Sequence, residues 1–159
     1  MSRAVRAAIL GDEELLAGLN GLVHDLHVAN RPEDFKPTRA ENVSAWFRSL
    51  LQKPTTLIWI AEEDRVPVGY VLALLHERPE NPFRPARRWC EIDQIAVDHK
   101  WRRRGIARTL IQTVFTEARA RGICDVEVSS WWFNEAAHHA FRRLGFAPQS
   151  IRFGLTLPE

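Results

Sequence analysis

A run of three arginines followed by a glycine is the clearest chemical signal in the chain. The sequence Arg102-Arg103-Arg104-Gly105-Ile106-Ala107 lies between a predicted strand and a predicted helix. The first N–H groups of a helix are unpaired and carry partial positive charge, so they bind phosphate readily. Gly105 and Ala107 keep bulky side chains away, and arginine side chains clamp phosphate oxygens. The run indicates a phosphate-binding turn, although arginine runs also occur on ordinary solvated surfaces.

The predicted strand before this turn changes its apolar face partway along. Its apolar residues are first at even positions, Cys90 and Ile92, and then at odd positions, Ile95 and Val97. Since alternate residues of a strand face opposite sides, this switch predicts a β-bulge near Gln94–Ala96. A bulge re-aims side chains and frees backbone groups, which is useful beside a ligand. A strand buried on both faces would give the same pattern, so both interpretations stay open.

Other groupings of reactive residues are weak. His24 and His27 share one helix face, but no third ligand is spaced to complete a metal site, so no metal is expected. Neither Gly-x-Ser-x-Gly nor Gly-x-x-x-x-Gly-Lys occurs. Cys90 and Cys124 fit no disulfide framework or zinc spacing, and both fall in predicted strands. They are expected to be buried free thiols in a reducing cytoplasm.

Alternating strands and helices must position these residues, and hydrophobic periodicity with turn residues predicts where they lie. The N-terminal half is predicted to contain a strand over Val5–Leu10, a helix opening at Asp12, a helix opened by a capping box of Thr38 and Glu41 and ending before Pro54, and strands over Thr55–Ala61 and Val66–Leu75. The rest is predicted to contain a loop over Arg78–Arg88, a strand over Trp89–Val97, a helix over Gly105–Ala120 stopped by Gly122, a strand over Cys124–Ser130, a helix from Asn134 to Gly145 and a closing strand over Ile151–Leu157. Hairpin and crossover connections both occur, so the whole chain, residues 1–159, is expected to be one α/β domain with a mixed sheet.

Composition bounds the class of protein. The 159 residues are 45% apolar and 26% charged, as in ordinary soluble globular domains. No apolar run approaches the roughly 18 residues of a membrane helix, and Arg3 and Arg6 interrupt the N-terminus, so neither a membrane segment nor a secretory signal is expected. The net charge of +2 gives no overall bias toward nucleic acid. We therefore expect a cytoplasmic protein with no membrane or nucleic-acid partner.

Two blocks of the sequence, taken together, resemble the GCN5-related N-acetyltransferase (GNAT) family. Ile95-Ala96-Val97 is followed by Arg102-x-x-Gly105-x-Ala107. This run resembles the family pattern (Gln/Arg)-x-x-Gly-x-(Gly/Ala). Asn134, Ala137 and Leu144-Gly145-Phe146 resemble its second block, so the resemblance covers essentially the whole chain. It implies a mixed, mostly antiparallel sheet with a central splayed parallel pair, flanked by about four helices.

The resemblance also implies how acetyl-CoA is bound. Backbone groups of Ile95–Val97 would pair with the pantetheine arm, and N–H groups from Arg103 to Arg108 would cradle the pyrophosphate. Asn134 would bond the pantetheine region, although by itself it is also a plain helix cap. The implied cofactor-binding residues are Ile95, Ala96, Val97, Arg102, Arg103, Arg104, Gly105, Ile106, Ala107, Arg108, Asn134 and Phe141.

The implied reaction is direct attack of a primary amine on the acetyl thioester, within a ternary complex. The amine must lose a proton to be nucleophilic, so a carboxylate or a water relay is needed as base. We expect Glu91 to be the base, because GNAT members often use a glutamate on this strand, with Asp93 in reserve. Both carboxylates would otherwise serve to bind a cationic substrate or solvent. A backbone N–H at the bulge would stabilise the oxyanion.

One position departs from the family pattern. GNAT members often have a tyrosine seven residues after the asparagine, which protonates the leaving thiolate. Here that residue is Phe141, and the only tyrosine is Tyr70. The tyrosine acid therefore does not carry over to this chain. His138, a water, or departure of the thiolate itself are the alternatives.

The expected function is that of an N-acetyltransferase, and two rivals stay open. One is a non-catalytic coenzyme A-binding sensor or partner domain, which Phe141 would favour. The other is a small nucleic-acid binder that uses Arg102–Arg104. The acceptor amine is either a small molecule, such as an aminoglycoside, polyamine or amino acid, or a protein lysine or N-terminus. Dimers are common in GNAT proteins, so a homodimer is left open.

Overall fold

A five-stranded sheet is the framework of the computed structural model, which describes residues 2–159. The strands follow chain order across the sheet: β1 Arg3–Ala7, β2 Thr56–Glu63, β3 Val66–Arg78, β4 Arg87–Val97 and β5 Val126–Val128. The pairs from β1 to β4 are antiparallel, whereas β4 and β5 are parallel. This confirms the predicted α/β class with a mixed, mostly antiparallel sheet that contains a parallel pair.

Four α-helices accompany the sheet within residues 2–159. They are α1 Glu13–Asn30, α2 Ala40–Leu51, α3 Ile106–Ala120 and α4 Glu135–Arg143, and a short 3₁₀ turn, His99–Trp101, precedes α3. The chain divides into two compact units, one ending at Ser129 and the other Ser130–Glu159. The sheet and α1 to α3 belong to the first unit, and α4 belongs to the second. A single domain over residues 1–159 stays a prediction.

The closing strand predicted over Ile151–Leu157 does not form, so this prediction is wrong. Ile151, Phe153, Leu155 and Leu157 alternate as in a half-buried strand, yet all four are exposed. A strand forms only where a neighbouring backbone pairs with it, and no strand among residues 2–159 pairs with this segment. The parallel pair therefore lies at one end of the five-stranded sheet rather than at its centre.

Several strands end at other residues than predicted, because a strand extends only as far as its partner pairs with it. β1 ends at Ala7, before the predicted end, because its register with β2 stops at the pair Ala7↔Trp59. The hairpin of β3 and β4 is longer than predicted, since pairing continues to Arg78↔Arg87, and the predicted loop shrinks to residues 79–86. Cys124 lies before β5 and is exposed, so its predicted burial in a strand is wrong.

The capping box predicted for α2 is also wrong. The helix begins at Ala40 with Arg39 at its N-cap, and no side chain caps it. A capping box needs Thr38 at the N-cap and Glu41 three residues later. Because the helix begins one residue further along, Glu41 falls at the wrong distance from the cap.

Asp12 stands at the N-cap of α1 as predicted, but its carboxylate bonds outside the helix. It accepts a hydrogen bond from the Ile9 N–H at 2.8 Å and two from the Arg6 guanidinium, at 2.8 and 2.9 Å. Arg6 also donates to Glu62 of β2, at 2.8 Å. The start of α1 is thereby tied to β1 and β2.

Both faces of the sheet are covered by helices. α1 and α2 pack on one face, in a buried cluster formed by Leu16, Leu19, Phe47, Leu50, Ile58, Ile60, Tyr70, Leu72 and Ala96. Strand residues of the opposite parity, such as Val71 and Ala73, are buried as well. α3 contacts β1 to β4 and buries a separate apolar stripe, so it covers the second face.

Candidate active site

A β-bulge at Asp93 sets which way the side chains of β4 face. Consecutive residues of β3 pair with Gln94 and then with Ile92, so Asp93 is the extra residue between them. The predicted β-bulge is confirmed, but it lies at Asp93, one residue before the predicted range Gln94–Ala96. Its consequence is that Glu91 and Gln94 lie on the same face of the sheet, where a regular strand would place them on opposite faces.

Gln94 identifies this face as the one covered by α1. Its Oε1 accepts hydrogen bonds from the Tyr70 hydroxyl at 2.6 Å and from the Asn20 Nδ2 at 3.2 Å, and Asn20 also donates to the Tyr70 hydroxyl at 3.0 Å. Burial raises the pKa of Tyr70 well above its usual value, so the hydroxyl stays a neutral donor. This network, which holds α1 against the residue after the bulge, was not predicted from the sequence.

Glu91, the expected base, lies on the same face, opposite Leu74 of β3. Its side chain is 29% exposed, and its Oε2 lies 2.7 Å from the Nε2 of His76. The His76 ring stacks on Trp89, with centroids 4.9 Å apart. The strand predicted from the sequence ends at Leu75, just before His76, and the sequence pattern indicates no role for that residue. Its parity with Leu74 was the one signal that could have placed it on this face.

Asp93, the reserve base, occupies a different environment. The residue is exposed, yet desolvation of the carboxyl raises its pKa. The negative charge of Glu91 raises that pKa further, and His76 lowers it. Two neighbouring carboxyls are therefore present beside the bulge, and the pKa of one is shifted toward proton uptake.

The edge of β4 that faces β5 is open along its second half. Pairing between the two strands covers three positions and stops at Ile92↔Val128, while β4 continues to Val97. Residues Ile95–Val97 pair with β3 on their other side, at Val71, Tyr70 and Gly69. Within the first unit no strand pairs with the outward N–H and C=O groups of this segment. The expected pantetheine-binding residues lie along this opening.

Gly69 lets β3 approach this segment closely. A Cβ atom at Gly69 would lie 2.7 Å from the Ala96 carbonyl oxygen, which is closer than such contacts occur. The contacting atom is backbone, so β4 itself would have to move to make room. The position of Ile95–Val97 therefore depends on a glycine in the neighbouring strand.

The arginine turn after β4 leaves backbone N–H groups free at the start of α3. Arg103 and Gly105 have left-handed φ values of 62° and 77°, and Gly105 is the N-cap of the helix. No side chain caps this end, and the N–H of Thr109 is the first to bond back, to the Gly105 carbonyl. The preceding helical N–H groups, from Ile106 to Arg108, have no intrahelical partner. Together with the turn they form an anion-binding concavity.

The arginine side chains of the turn are held in different ways. Arg102 donates from Nε to the Val97 carbonyl at 3.2 Å, which fastens the turn to the end of β4. The Arg104 guanidinium lies 4.9 Å from the ring centroid of Trp101. Arg3 of β1 also reaches this turn, because a Cβ built at Gly105 would lie 3.8 Å from its Nη1.

The remaining expected site residues, Asn134 and Phe141, belong to the second unit. The Asn134 Oδ1 accepts from the Ala137 N–H at 3.3 Å, so Asn134 is the N-cap of α4, as one of its two interpretations predicts. Phe141 packs edge-on against Phe146, with centroids 5.8 Å apart. The structure thus groups Glu91, Asp93 and Ile95–Arg108 in the first unit.

Comparison with known proteins establishes the family of the chain. Residues 21–146 match the family model described as "Acetyltransferase (GNAT) family". The chain belongs to the GNAT family. The resemblance seen in the arginine turn and in the block from Asn134 is thereby confirmed, and acetyl-CoA is the acetyl donor of GNAT acetyltransferases.

Curated relatives of this GNAT chain are N-acetyltransferases. It is 30% identical over 95 residues to N-acetyltransferase 8F1 of Rattus norvegicus, which covers 60% of this chain and 41% of the relative. It is 29% identical over 109 residues to N-acetyltransferase 8 of Homo sapiens, covering 69% and 46%. The chain thus spans less than half the length of these relatives.

Solved structures share the fold along nearly the whole chain. A tetramutant of the BH1408 protein from Bacillus halodurans has a TM-score of 0.92 at 24% identity, covering 97% of this chain and 99% of that one. The aminoglycoside N-acetyltransferase AAC(6')-Iy in complex with CoA has a TM-score of 0.79 at 19% identity, covering 98% and 95%. At these identities the likeness establishes the fold.

Among residues 2–159, no three His, Cys, Asp or Glu side chains are grouped so that they could hold a metal ion. None of the helices in that range combines the length and apolar character needed to cross a membrane.

Proposed function

We propose that this GNAT protein transfers the acetyl group of acetyl-CoA to a primary amine by direct attack in a ternary complex. The observation that carries the proposal is the continuity of two sites: the open edge at Ile95–Val97 leads directly into the turn at Arg103–Gly105. An edge whose outward N–H and C=O groups pair with no strand suits the amide groups of pantetheine. The turn and the first N–H groups of α3 suit its pyrophosphate. Acetyl-CoA supplies an acetyl thioester when it is bound.

Glu91 is the proposed base. It lies one residue before the last pair between β4 and β5, so it closely precedes the open segment of the strand. It accepts a proton from the acceptor ammonium, directly or through a water, and leaves the amine able to attack. Asp93, whose pKa is raised, remains the reserve.

Direct transfer is favoured over an acetylated enzyme by the state of Cys90. This thiol lies next to Glu91 in β4 but on the opposite face, and it is fully buried. Burial raises the pKa of Cys90 to about 11, which keeps it a neutral thiol and a poor nucleophile. A buried free thiol also supports the cytoplasmic location that we propose.

The proposed acceptor is a small amine. Two kinds of support bear on it: the carboxylates Glu91 and Asp93, which favour a cationic acceptor, and the aminoglycoside acetyltransferases among the structural neighbours. A protein lysine or N-terminus is the alternative acceptor. A homodimer stays a prediction.

A second candidate is a coenzyme A-binding protein without catalysis. Phe141 favours it, because the position lacks the hydroxyl with which many GNAT members protonate the leaving thiolate. We favour catalysis because the reference pKa of a thiol is about 8.5. Near neutral pH the coenzyme A thiolate is therefore an adequate leaving group without protonation by an acid.

The deciding experiment is an acetyl-transfer screen. The protein and acetyl-CoA are incubated with a panel of aminoglycosides, polyamines, amino acids and lysine peptides, and products are identified by their added acetyl mass. Turnover of at least one amine with release of free coenzyme A is expected. Coenzyme A binding without any acetylated product would establish the second candidate instead.

A further inference from the structure

The contact between His76 and Glu91 gives His76 a place in the reaction. We infer that His76 is a positioning residue, whose imidazole holds one oxygen of the Glu91 carboxylate while the other faces the acceptor amine. This inference rests on the proposed function and extends it by one residue that the sequence pattern did not single out. A base that is itself oriented by a third group is a recurrent arrangement in enzymes.

The contact has the distance of a charge-assisted hydrogen bond. The Nε2 atom of His76 lies 2.7 Å from the Glu91 Oε2 and is shielded from solvent, but among the described residues it makes no hydrogen bond, either to Glu91 or to another group. The two atoms are therefore close enough for a hydrogen bond without having the geometry of one. Catalytic hydrogen bonds often tighten only when substrate is bound. A buried ring nitrogen without a hydrogen bond is costly, and the Glu91 carboxylate is an acceptor within reach of it.

The imidazole is held in place by its neighbours across the sheet. Trp89, which pairs with His76 in the register of β3 and β4, stacks on the ring at an interplanar angle of 19°. The Arg87 guanidinium lies 4.9 Å from the Trp89 ring centroid. Arg87 is fixed in turn by hydrogen bonds to Asp125 at 3.2 Å and to Glu127 at 2.6 Å. A continuous series of contacts thus runs from β5 through β4 to the imidazole.

The charges around Glu91 favour the same role. Glu127 lies directly across from Glu91 on β5, but its carboxylate is paired with Arg87. Asp93 is the other carboxyl beside Glu91, and it senses the charges of both Glu91 and His76. The imidazole of His76 is therefore the donor group placed to hold Glu91 against these acidic neighbours.

Two substitutions at one position separate positioning from packing. His76→Phe keeps a ring to stack on Trp89 but removes the Nε2 donor, whereas His76→Gln loses the ring but keeps an N–H donor. Removing the group that orients a metal ligand typically costs about 10- to 100-fold in activity, and we expect a comparable loss for an oriented base. We expect kcat to fall by about that factor in His76→Phe, with KM for acetyl-CoA unchanged, and to fall less in His76→Gln. His139→Phe, at an exposed position of α4, is the matched control and should leave kcat unchanged.

The effect should also depend on Glu91. In a Glu91→Gln background, His76→Phe should have little further effect, because residues that act through one another are not additive. A readout without turnover is the imidazole tautomer in ¹⁵N-labelled protein without ligand. We expect the Nε2–H form in the wild type and a mixture of the two tautomers in Glu91→Ala.

The outcomes are distinguishable. If the wild type acetylates an amine and His76→Phe is as active as the wild type, or more active than His76→Gln, the inference is overturned and the proposed function stands. Equal losses from His76→Phe with and without Glu91 would likewise reject positioning. If the wild type binds coenzyme A but acetylates nothing, the proposed function fails and this inference fails with it.

Discussion

Glu91 and Asp93 are separated by a single residue in β4, yet the bulge gives them different surroundings. Glu91 faces α1 and contacts His76, whereas Asp93 is the inserted residue and carries a raised pKa. These differences make two isosteric substitutions, Glu91→Gln and Asp93→Asn, a test of which carboxylate is the base. Both replace a carboxylate by an amide and so remove basicity while keeping shape.

Glu91→Gln should lower kcat by about 10²- to 10⁴-fold, the usual contribution of a general base. KM for acetyl-CoA should change little, because the side chain lies before the segment proposed to bind pantetheine. Steady-state kinetics with the best amine of the screen measure both constants. Asp93→Asn is the matched comparison, and a larger loss in that variant would assign the base to Asp93.

Residue-level prediction succeeded where a local pattern carried the information. The change of parity between Ile92 and Ile95 indicated a bulge, and one exists at Asp93. The contact between His76 and Glu91 had no such signal. It depends on the register of the β3–β4 hairpin, which an eight-residue loop and the bulge both alter, and a shift by one residue reverses every facing side chain.

At the scale of elements, the junction of α1 with β1 and β2 depends on one carboxylate. Hydrogen bonds from Arg6 are the largest cause of the lowered pKa of Asp12, and the Ile9 N–H lowers it further. A carboxyl with a lower pKa in the folded state stabilises the fold above its unfolded pKa. That stability is lost as pH falls through the folded value.

Asp12→Asn should therefore reduce the free energy of unfolding at pH 7 by about 1–3 kcal/mol, the cost of impairing a buried charged hydrogen bond. The gap between wild type and variant should narrow as pH is lowered from about 5 toward 3. Urea unfolding at several pH values measures it. Asp25→Asn, at an exposed position of α1, should change stability by less than about 0.5 kcal/mol. A gap independent of pH would contradict this account of Asp12.

The helices, whose apolar pattern is satisfied locally, were predicted well, and so were the strands β2 to β4, but the predicted closing strand lacks a partner. α1, α2 and α3 were all expected close to their observed bounds, and Gly122, with a φ of 71°, follows the end of α3 as predicted. The segment Ile151–Leu157 has equally good alternation but no paired backbone. Hydrophobic periodicity predicts which face of a segment would be buried, but it does not show whether another strand is available to pair with that segment.

For the whole molecule, binding of coenzyme A should increase the free energy of unfolding. A ligand that binds only the folded state adds RT ln(1 + [L]/Kd), about 2.7 kcal/mol at a hundredfold excess over Kd. Gly105→Glu should abolish this gain by placing bulk and negative charge where the pyrophosphate is proposed to bind. Thermal unfolding with and without coenzyme A measures the effect.

Gly122→Glu provides a closely matched control. Gly122 also has a left-handed φ and lies just past the other end of α3, so the same substitution carries the same backbone strain. The control should lower the melting temperature without ligand but keep the gain from coenzyme A. Loss of the gain in both variants would show that strain, rather than the phosphate site, is responsible.

The short β5 has a consequence for how the protein behaves without its ligand. An open strand edge attracts other strands, and most proteins cover or charge such edges. Here no strand of the first unit pairs with the outer edge of the apolar sequence Ile95-Ala96-Val97, which carries no charged side chain of its own. If coenzyme A pairs with this edge as proposed, the ligand also shields the sheet against association between molecules. Coenzyme supply would then protect solubility as well as provide the acetyl group.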